Sequence, residues 1–162
     1  MVVQSNPLAL AAIDLGHLAL FLGLRINELV IARMRLAGFR NARESHGYLI
    51  QHLVESERSI TELARRMGVS QQAASKAVAE LVAFAVLEES PGKDRRSKRI
   101  RISAKGWKMI RVARKAREVV INRLQKAIGD PNYARTKISL IKCLEELGGT
   151  ERIRSRRVRQ PR

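Results

Sequence analysis

Two short stretches of this 162-residue chain carry the side chains best suited to chemistry, and in both the chemistry is that of gripping a polyanion. The first is Ser70-Gln71-Gln72, followed by Ser75 and Lys76. Amide and hydroxyl groups can reach base edges and phosphates, and a Gln amide can pair in bidentate fashion with adenine. The second runs from Lys93 to Arg101, where six basic residues stand beside a single acid, Asp94. Such a run can be no more than a solvated face. Carried on a projecting tip, however, Lys93, Arg95, Arg96, Lys98 and Arg99 would meet phosphate, and Arg95 and Arg96 could enter a narrow minor groove, whose negative potential attracts inserted guanidinium groups. Asp94 is repelled by phosphate and is better read as an orienting partner for its basic neighbours.

Composition points the same way. Lys and Arg number 32 against 15 Asp and Glu, giving a net charge of +17, which calls for a polyanionic partner such as nucleic acid or an acidic membrane surface. Aromatic residues make up only 4% of the chain, too few for the stacking platforms of single-strand binders, so duplex DNA is favoured. The acids that could serve catalysis, Asp14, Glu28, Glu62, Glu80 and Asp94, are scattered and locally accounted for, so an enzyme is not expected. The three histidines, His17, His46 and His52, lack metal-ligand spacing, and with one cysteine, Cys143, neither a metal site nor an internal disulfide is expected, nor any cofactor. A reducing cytoplasm suits that cysteine usage. The apolar stretch from Leu8 to Leu24 could suggest a membrane segment, but Asp14 and His17 interrupt it and no basic residue precedes it. A helix buried by a second chain accounts for it better.

The elements that must position these residues follow from periodicity. One long helix is expected from about Asn6 to Gly38 and a second from about Ala42 to Val54. Ser59-Ile60-Thr61-Glu62 reads as a capping box opening a short helix that stops at Gly68. Ser70 caps the next helix, whose apolar stripe is Ala73, Ala74, Ala77, Val78, Leu81 and Val82, running to about Ala85. The pair makes a helix-turn-helix, which would put Ser70, Gln71, Gln72, Ser75 and Lys76 at the start of a helix entering the major groove. Residues 86–89 and the alternating Arg99 to Ser103 read as two strands joined through Pro91-Gly92, a hairpin wing with its basic residues at the tip. A long helix is expected from about Ala104 to Ile128, with Trp107, Ile110, Ala113, Val120, Leu124 and Ile128 on one face. Asp130-Pro131 then starts a last helix by a cap and a first-turn proline, as far as Leu147.

The segment Ser59 to Gly106 resembles the MarR family of bacterial transcriptional regulators. The family's wing pattern, Asp-x-Arg-x5-Leu-Thr followed by Gly, stands here as Asp94, Arg96, Ile102, Ser103 and Gly106, with Ile for Leu and Ser for Thr. The helical context extends the resemblance to roughly Leu8 to Leu147. It implies a mainly α fold with a small β-hairpin wing, a winged helix-turn-helix (residues 41–104) between an N-terminal dimerisation helix (1–40) and C-terminal dimerisation helices (105–148). An Arg-rich tail (149–162), expected to be disordered, lies outside it. The resemblance further implies a cytoplasmic homodimer on a pseudo-palindromic operator in double-stranded DNA, with repression the commoner mode, and Leu15, Leu22, Val120, Leu124, Ile141 and Leu144 as interface residues. Each of the six could equally be intramolecular core. Many members of that family release DNA on binding a small anionic or phenolic ligand between the dimer helices and the reading head, for which His17, Arg25, His46, Tyr48 and His52 are the candidate lining residues. The competing reading is a low-specificity architectural DNA-binding protein, supported by the charge and by the six Arg from Arg152 to Arg162. Deleting residues 152–162 is expected to weaken binding to every duplex and to flatten its salt dependence while leaving site preference unchanged, measured by fluorescence anisotropy across a salt series.

Overall fold

The computed structural model describes residues 10–91 and 98–154. Helix α1 (Leu15–Leu36) starts at Asp14, whose extended backbone (φ −65°, ψ 160°) and carboxylate, 3.0 Å from the His17 backbone N–H, make it the N-cap. The expected unbroken helix from Asn6 is therefore interrupted at Asp14, because a short acid there satisfies the orphan donors of a new first turn. By length and composition alone α1 could cross a membrane. Its second half, however, carries Arg25, Glu28, Arg33 and Arg35 and buries Val30 and Met34 in a protein core.

Helix α2 (Glu44–Ile50) is shorter than expected. Past it the chain tightens, with His52 donating to the Leu49 carbonyl and Leu53 to that of Ile50, which turns His52 and Leu53 inward. Helix α3 (Ile60–Met67) has the full capping box: Ser59 accepts from the Glu62 N–H, and the Glu62 carboxylate accepts from the Ser59 N–H at 2.7 Å. Those bonds to Ser59 hold the Glu62 carboxyl below the usual carboxylate range. Gly68, at φ 70°, ends the helix in the left-handed region. Helix α4 (Gln71–Ala83) follows from its Ser70 cap.

Strands β1 (Leu87–Pro91) and β2 (Lys98–Ile102) pair antiparallel, Leu87 opposite Ile102 and Glu89 opposite Ile100, and Arg58 adds a bridge to Ile100 from the other side. Helix α5 (Ala104–Ile128) packs along α1, and α6 (Asp130–Glu146) turns back after Gly129. Asp130 does not cap α6; Gly129 holds the cap position, and the Asp130 carboxylate accepts from Gln125 at 2.9 Å. Residues 150–154, expected to lack structure, form a short helix α7 (Thr150–Arg154); residues 155–162 of the tail lie outside the described residues.

The core is centred on Leu49, Leu63, Leu81, Leu87 and Ile100, one fully buried side chain from each of α2, α3, α4, β1 and β2. Helix α5 closes it with Gly106, Met109, Ala116 and Val120. Trp107 and Ile128, expected on that face, are 37% and 43% exposed, because the inward stripe runs from Gly106 through Met109 rather than through Trp107. Ser103, the N-cap of α5, donates to the Ala85 and Val86 carbonyls and accepts from the Gly106 N–H at 3.0 Å. A Cβ on Gly106 would lie 2.2 Å from the Val86 carbonyl oxygen and 2.7 Å from Ile102 Cγ2. Gly106→Ala should lower the unfolding free energy by about 3 kcal/mol, read from the urea midpoint at unchanged slope; an unshifted midpoint would mean that this corner relaxes freely.

Candidate nucleic-acid interface

Helix α4 presents its two faces to different surroundings. Ala74, Val78 and Leu81 are buried against α3, where Leu63 and Ala64 meet them. On the opposite side Gln71, Gln72, Ser75 and Lys76 are all exposed, and at 100° per residue Gln72, Ser75, Lys76 and Ala79 fall on one line. Ser70 is also exposed, although its hydroxyl oxygen already accepts the Ala73 N–H at 3.2 Å. Ala73, expected in the apolar stripe, is exposed instead, since it falls about 100° away from Ala74. Its methyl joins the polar face as a small apolar contact of the kind a thymine methyl accepts.

Two residues beside this face escaped the sequence reading. Arg65 and Arg66 occupy the last turn of α3, both exposed and without an ion pair among the described residues. The signal for them was their place on the polar side of the first helix of the pair, one turn ahead of Gly68. They leave two guanidinium groups, free of ion pairs among the described residues, one turn ahead of the exposed start of α4.

The wing divides its basic residues. Lys93, Asp94, Arg95 and Arg96 lie outside the described residues. Lys98 pairs with Glu89 at 2.7 Å, and Arg101 pairs with Glu88, directly across the ladder, also at 2.7 Å. Arg99 donates to the Glu57 carbonyl at 3.0 Å and stands 3.9 Å from the Glu62 carboxylate. Lys98 and Arg99 therefore fasten the base of the hairpin, and any DNA contact they make competes with these bonds. Ser90 ties the other strand down by donating to the Glu57 carboxylate.

The five candidate ligand residues are not gathered in one cavity. His17 bonds to Asp14 and Arg25 to Glu28, both on the exposed side of α1. Tyr48 lines a groove of about 360 Å³ between α1, α2 and α5, together with Asn27, Met34, Arg114 and Arg117. A chain of hydrogen bonds crosses the mouth of this groove: Arg117 donates to Asn27 at 3.0 Å, Asn27 to Glu44 at 2.8 Å, and Tyr48 to the same Glu44 oxygen at 2.8 Å. Desolvation, reinforced by the bond to Glu44, pushes the Tyr48 hydroxyl up to about 12. His46 lines a different cavity, and buried His52 offers its backbone carbonyl to Arg58. Among the described residues no three His, Cys, Asp or Glu side chains come together as a metal site.

Residues 44–97 match the family model described as MarR family. That segment of the chain is similar to the MarR family. Solved structures agree on the fold around this segment. YusO from Bacillus subtilis superposes with a TM-score of 0.68 at 17% identity, covering 88% of this chain and 99% of that one. Wild-type MarR from E. coli, in its apo form, gives 0.62 at 16% identity, covering 82% and 98%. MepR, a transcription regulator of the Staphylococcus aureus multidrug efflux pump MepA, gives 0.68 at 12% identity, covering 83% and 99%. No curated protein sequence matches the chain. The matched segment holds α2, both helices of the α3–α4 pair and the first strand of the hairpin.

Within that segment His46 joins α2 to α4. Its Nε2 stands 3.6 Å from Glu80, which Arg43 holds at 3.0 Å. Burial is the main reason its pKa lies below the usual histidine value of 6.5; Glu80 opposes that shift and Arg43 adds to it. The unfolded chain therefore takes up this proton more readily than the folded one, and stability should decline as pH falls below about 6.5. Urea melts at a series of pH values should show that decline, and His46→Phe should remove the part of the slope that belongs to this ring; an identical slope in the variant would mean that His46 titrates normally.

Proposed function

We propose that the chain is a cytoplasmic, homodimeric, sequence-specific transcriptional repressor that binds a pseudo-palindromic operator and has no enzymatic role. The observation that carries this reading is the two-sidedness of α4. An apolar face is fully committed to the core while Gln71, Gln72, Ser75 and Lys76 stand free on the other side, as a helix lying in the major groove requires. Ser70 would hold the helix start and a backbone phosphate, Gln72 and Lys76 would read base edges, and Arg65 and Arg66 would fix register on the phosphates. Arg95 and Arg96 would enter the adjacent minor groove, with Lys93, Lys98 and Arg99 along its rim and Asp94 orienting the tip.

Dimerisation is supported by apolar surface that one chain leaves uncovered. Leu15 is 59% exposed, Leu22 45%, Ile141 42% and Leu144 41%, and α6 buries no residue at all. Uncovered apolar surface on this scale marks an interaction face. Leu124 is half-buried, whereas Val120, at 4% exposure, already belongs to the chain's own core and adds little to an interface. Release of DNA by a small anionic ligand would use the groove beside Tyr48, where Arg114 and Arg117 supply positive charge.

Anisotropy titrations with duplex from the chain's own upstream region and with a shuffled duplex, at near-physiological salt, test the reading. The native duplex should bind two chains per site and be favoured by about a thousandfold. Gln72→Ala and Arg96→Ala should each cost about 1–3 kcal/mol on that duplex and much less on the shuffled one. Equal affinity for both duplexes, taken with no site recovered by genomic selection, would point instead to an architectural protein that coats DNA through its +17 charge.

A further inference from the structure

Few bonds decide where the hairpin points. The pairs within it, Lys98 with Glu89 and Arg101 with Glu88, hold one strand to the other and leave the direction of both open. Direction comes from bonds to the rest of the chain. At the base the Ser103 hydroxyl donates to the Ala85 and Val86 carbonyls, and midway along β2 two backbone bonds of 2.8 and 3.1 Å join Ile100 to Arg58. Nearer the tip a further fastening converges on one residue, Glu57, in the connection between α2 and α3. Its carboxylate accepts from the Ser90 hydroxyl, and its backbone carbonyl accepts from the Arg99 guanidinium at 3.0 Å. Ser90 and Arg99 stand opposite each other in the ladder, so their side chains leave the same face and Glu57 grips one rung from both strands.

The place of that rung gives it leverage. Only Pro91 and Lys98 pair beyond it, and Pro91 has no N–H to add to the ladder. Among the described residues it is therefore the outermost rung tied to the helix-turn-helix, and a hinge there would swing everything the hairpin carries past it. The tie is well sheltered on one side: Ser90 is only 8% exposed, so water competes little for its hydroxyl. On the other side Arg99 reaches on to the Glu62 carboxylate at 3.9 Å, which links the rung to the capped first turn of α3. A carboxylate repels phosphate, so any gain that Glu57 brings to DNA binding comes through what it holds. We propose that Glu57 is a positioning residue for DNA recognition: by gripping the Ser90–Arg99 rung it aims the wing at the minor groove beside the one that α4 enters. Its role rests on the reading that the wing enters that groove through Arg96.

A double-mutant cycle of Glu57 and Arg96 tests this, with the full chain titrated by anisotropy onto the duplex it prefers. Glu57→Ala should weaken binding about tenfold, and in an Arg96→Ala chain the same change should cost less than about twofold, since a misdirected wing then has no groove contact left to lose. Ser90→Ala, which removes only the donor, should reproduce the loss, and it keeps the test open where Glu57→Ala does not melt cooperatively in urea. Glu57→Gln, which keeps an acceptor oxygen, should stay within about twofold of wild type. Relief of charge repulsion alone would have the opposite sign, with both Glu57 variants binding more tightly. The proposal is overturned if Glu57→Ala and Ser90→Ala bind as well as wild type while Arg96→Ala is weakened. It is also overturned if they lose as much affinity without Arg96 as with it, which is the mark of a merely structural role. Arg96→Ala binding as tightly as wild type would instead overturn the wing reading, and this role for Glu57 with it.

Discussion

Where helix α5 leaves the wing, backbone meets backbone with no room for a side-chain carbon. Gly106 passes so close to the Val86 carbonyl that a Cβ would overlap it, and the Ser103 hydroxyl fills the remaining space by bonding to Ala85, Val86 and Gly106 together. This contact sets the rest of the arrangement. It fixes the end of α4 and the start of β1 against the first turn of α5, so α4, the hairpin and the long helix share one rigid corner. From that corner α5 carries Met109, Ala116 and Val120 along the core and meets α1 beyond it. A short Ser-x-x-Gly pattern that reads as a family signature in the sequence is thus a packing requirement: a small capping hydroxyl followed by the only residue that permits the approach.

Because the core is built around this corner, it serves the helix-turn-helix and hairpin first. Leu49, Leu63, Leu81, Leu87 and Ile100 close on one another, and α1 contributes only from its second half. The first half of α1 and the whole of α6 are left with Leu15, Leu18, Phe21, Leu22, Ile138, Ile141 and Leu144 open to solvent. Burying a leucine is worth about 1.5–3 kcal/mol, so a second copy covering these helices would recover more free energy than most single contacts inside the head supply. The apolar surface is therefore divided unevenly: the middle of the chain covers its own, while the first half of α1 and the whole of α6 leave theirs exposed.

The helix-turn-helix was almost wholly legible in the sequence because its signals are local. Ser59 with Glu62, Gly68 and Ser70 each act on backbone groups within a turn, and each stands where its chemistry says it should. Long-range effects were not legible. That Lys98 and Arg101 are held by Glu89 and Glu88 depends on strand register, and that Arg99 reaches the Glu57 carbonyl depends on a loop 42 residues away. Phase errors of one residue account for others: Trp107 and Ala73 each lie about 100° from the buried line they were expected to join. The break at Asp14 was hidden because apolar periodicity continues through it, although a capping acid in that place was a visible warning. The burial of His46 and the cavity beside it could not be foreseen, since both exist only once α2, α4 and α5 are brought together.

The charge distribution separates two tasks that composition merges. A net charge of +17 suggests a surface that is basic everywhere, yet the wing base is close to neutral, its cations held by glutamates on the neighbouring strand and on helix α3. Ion pairs across the ladder also stiffen the hairpin stem. The free cations nearest α4 are Lys76 on its exposed face and Arg65 and Arg66 one turn before it, and the side chains able to discriminate bases, Gln71 and Gln72, sit beside them. On the proposed reading, attraction to phosphate and discrimination between bases would fall to neighbouring side chains on one surface. A change in salt acts on the first and a change in sequence on the second, because only the polar amides depend on which base edge they meet.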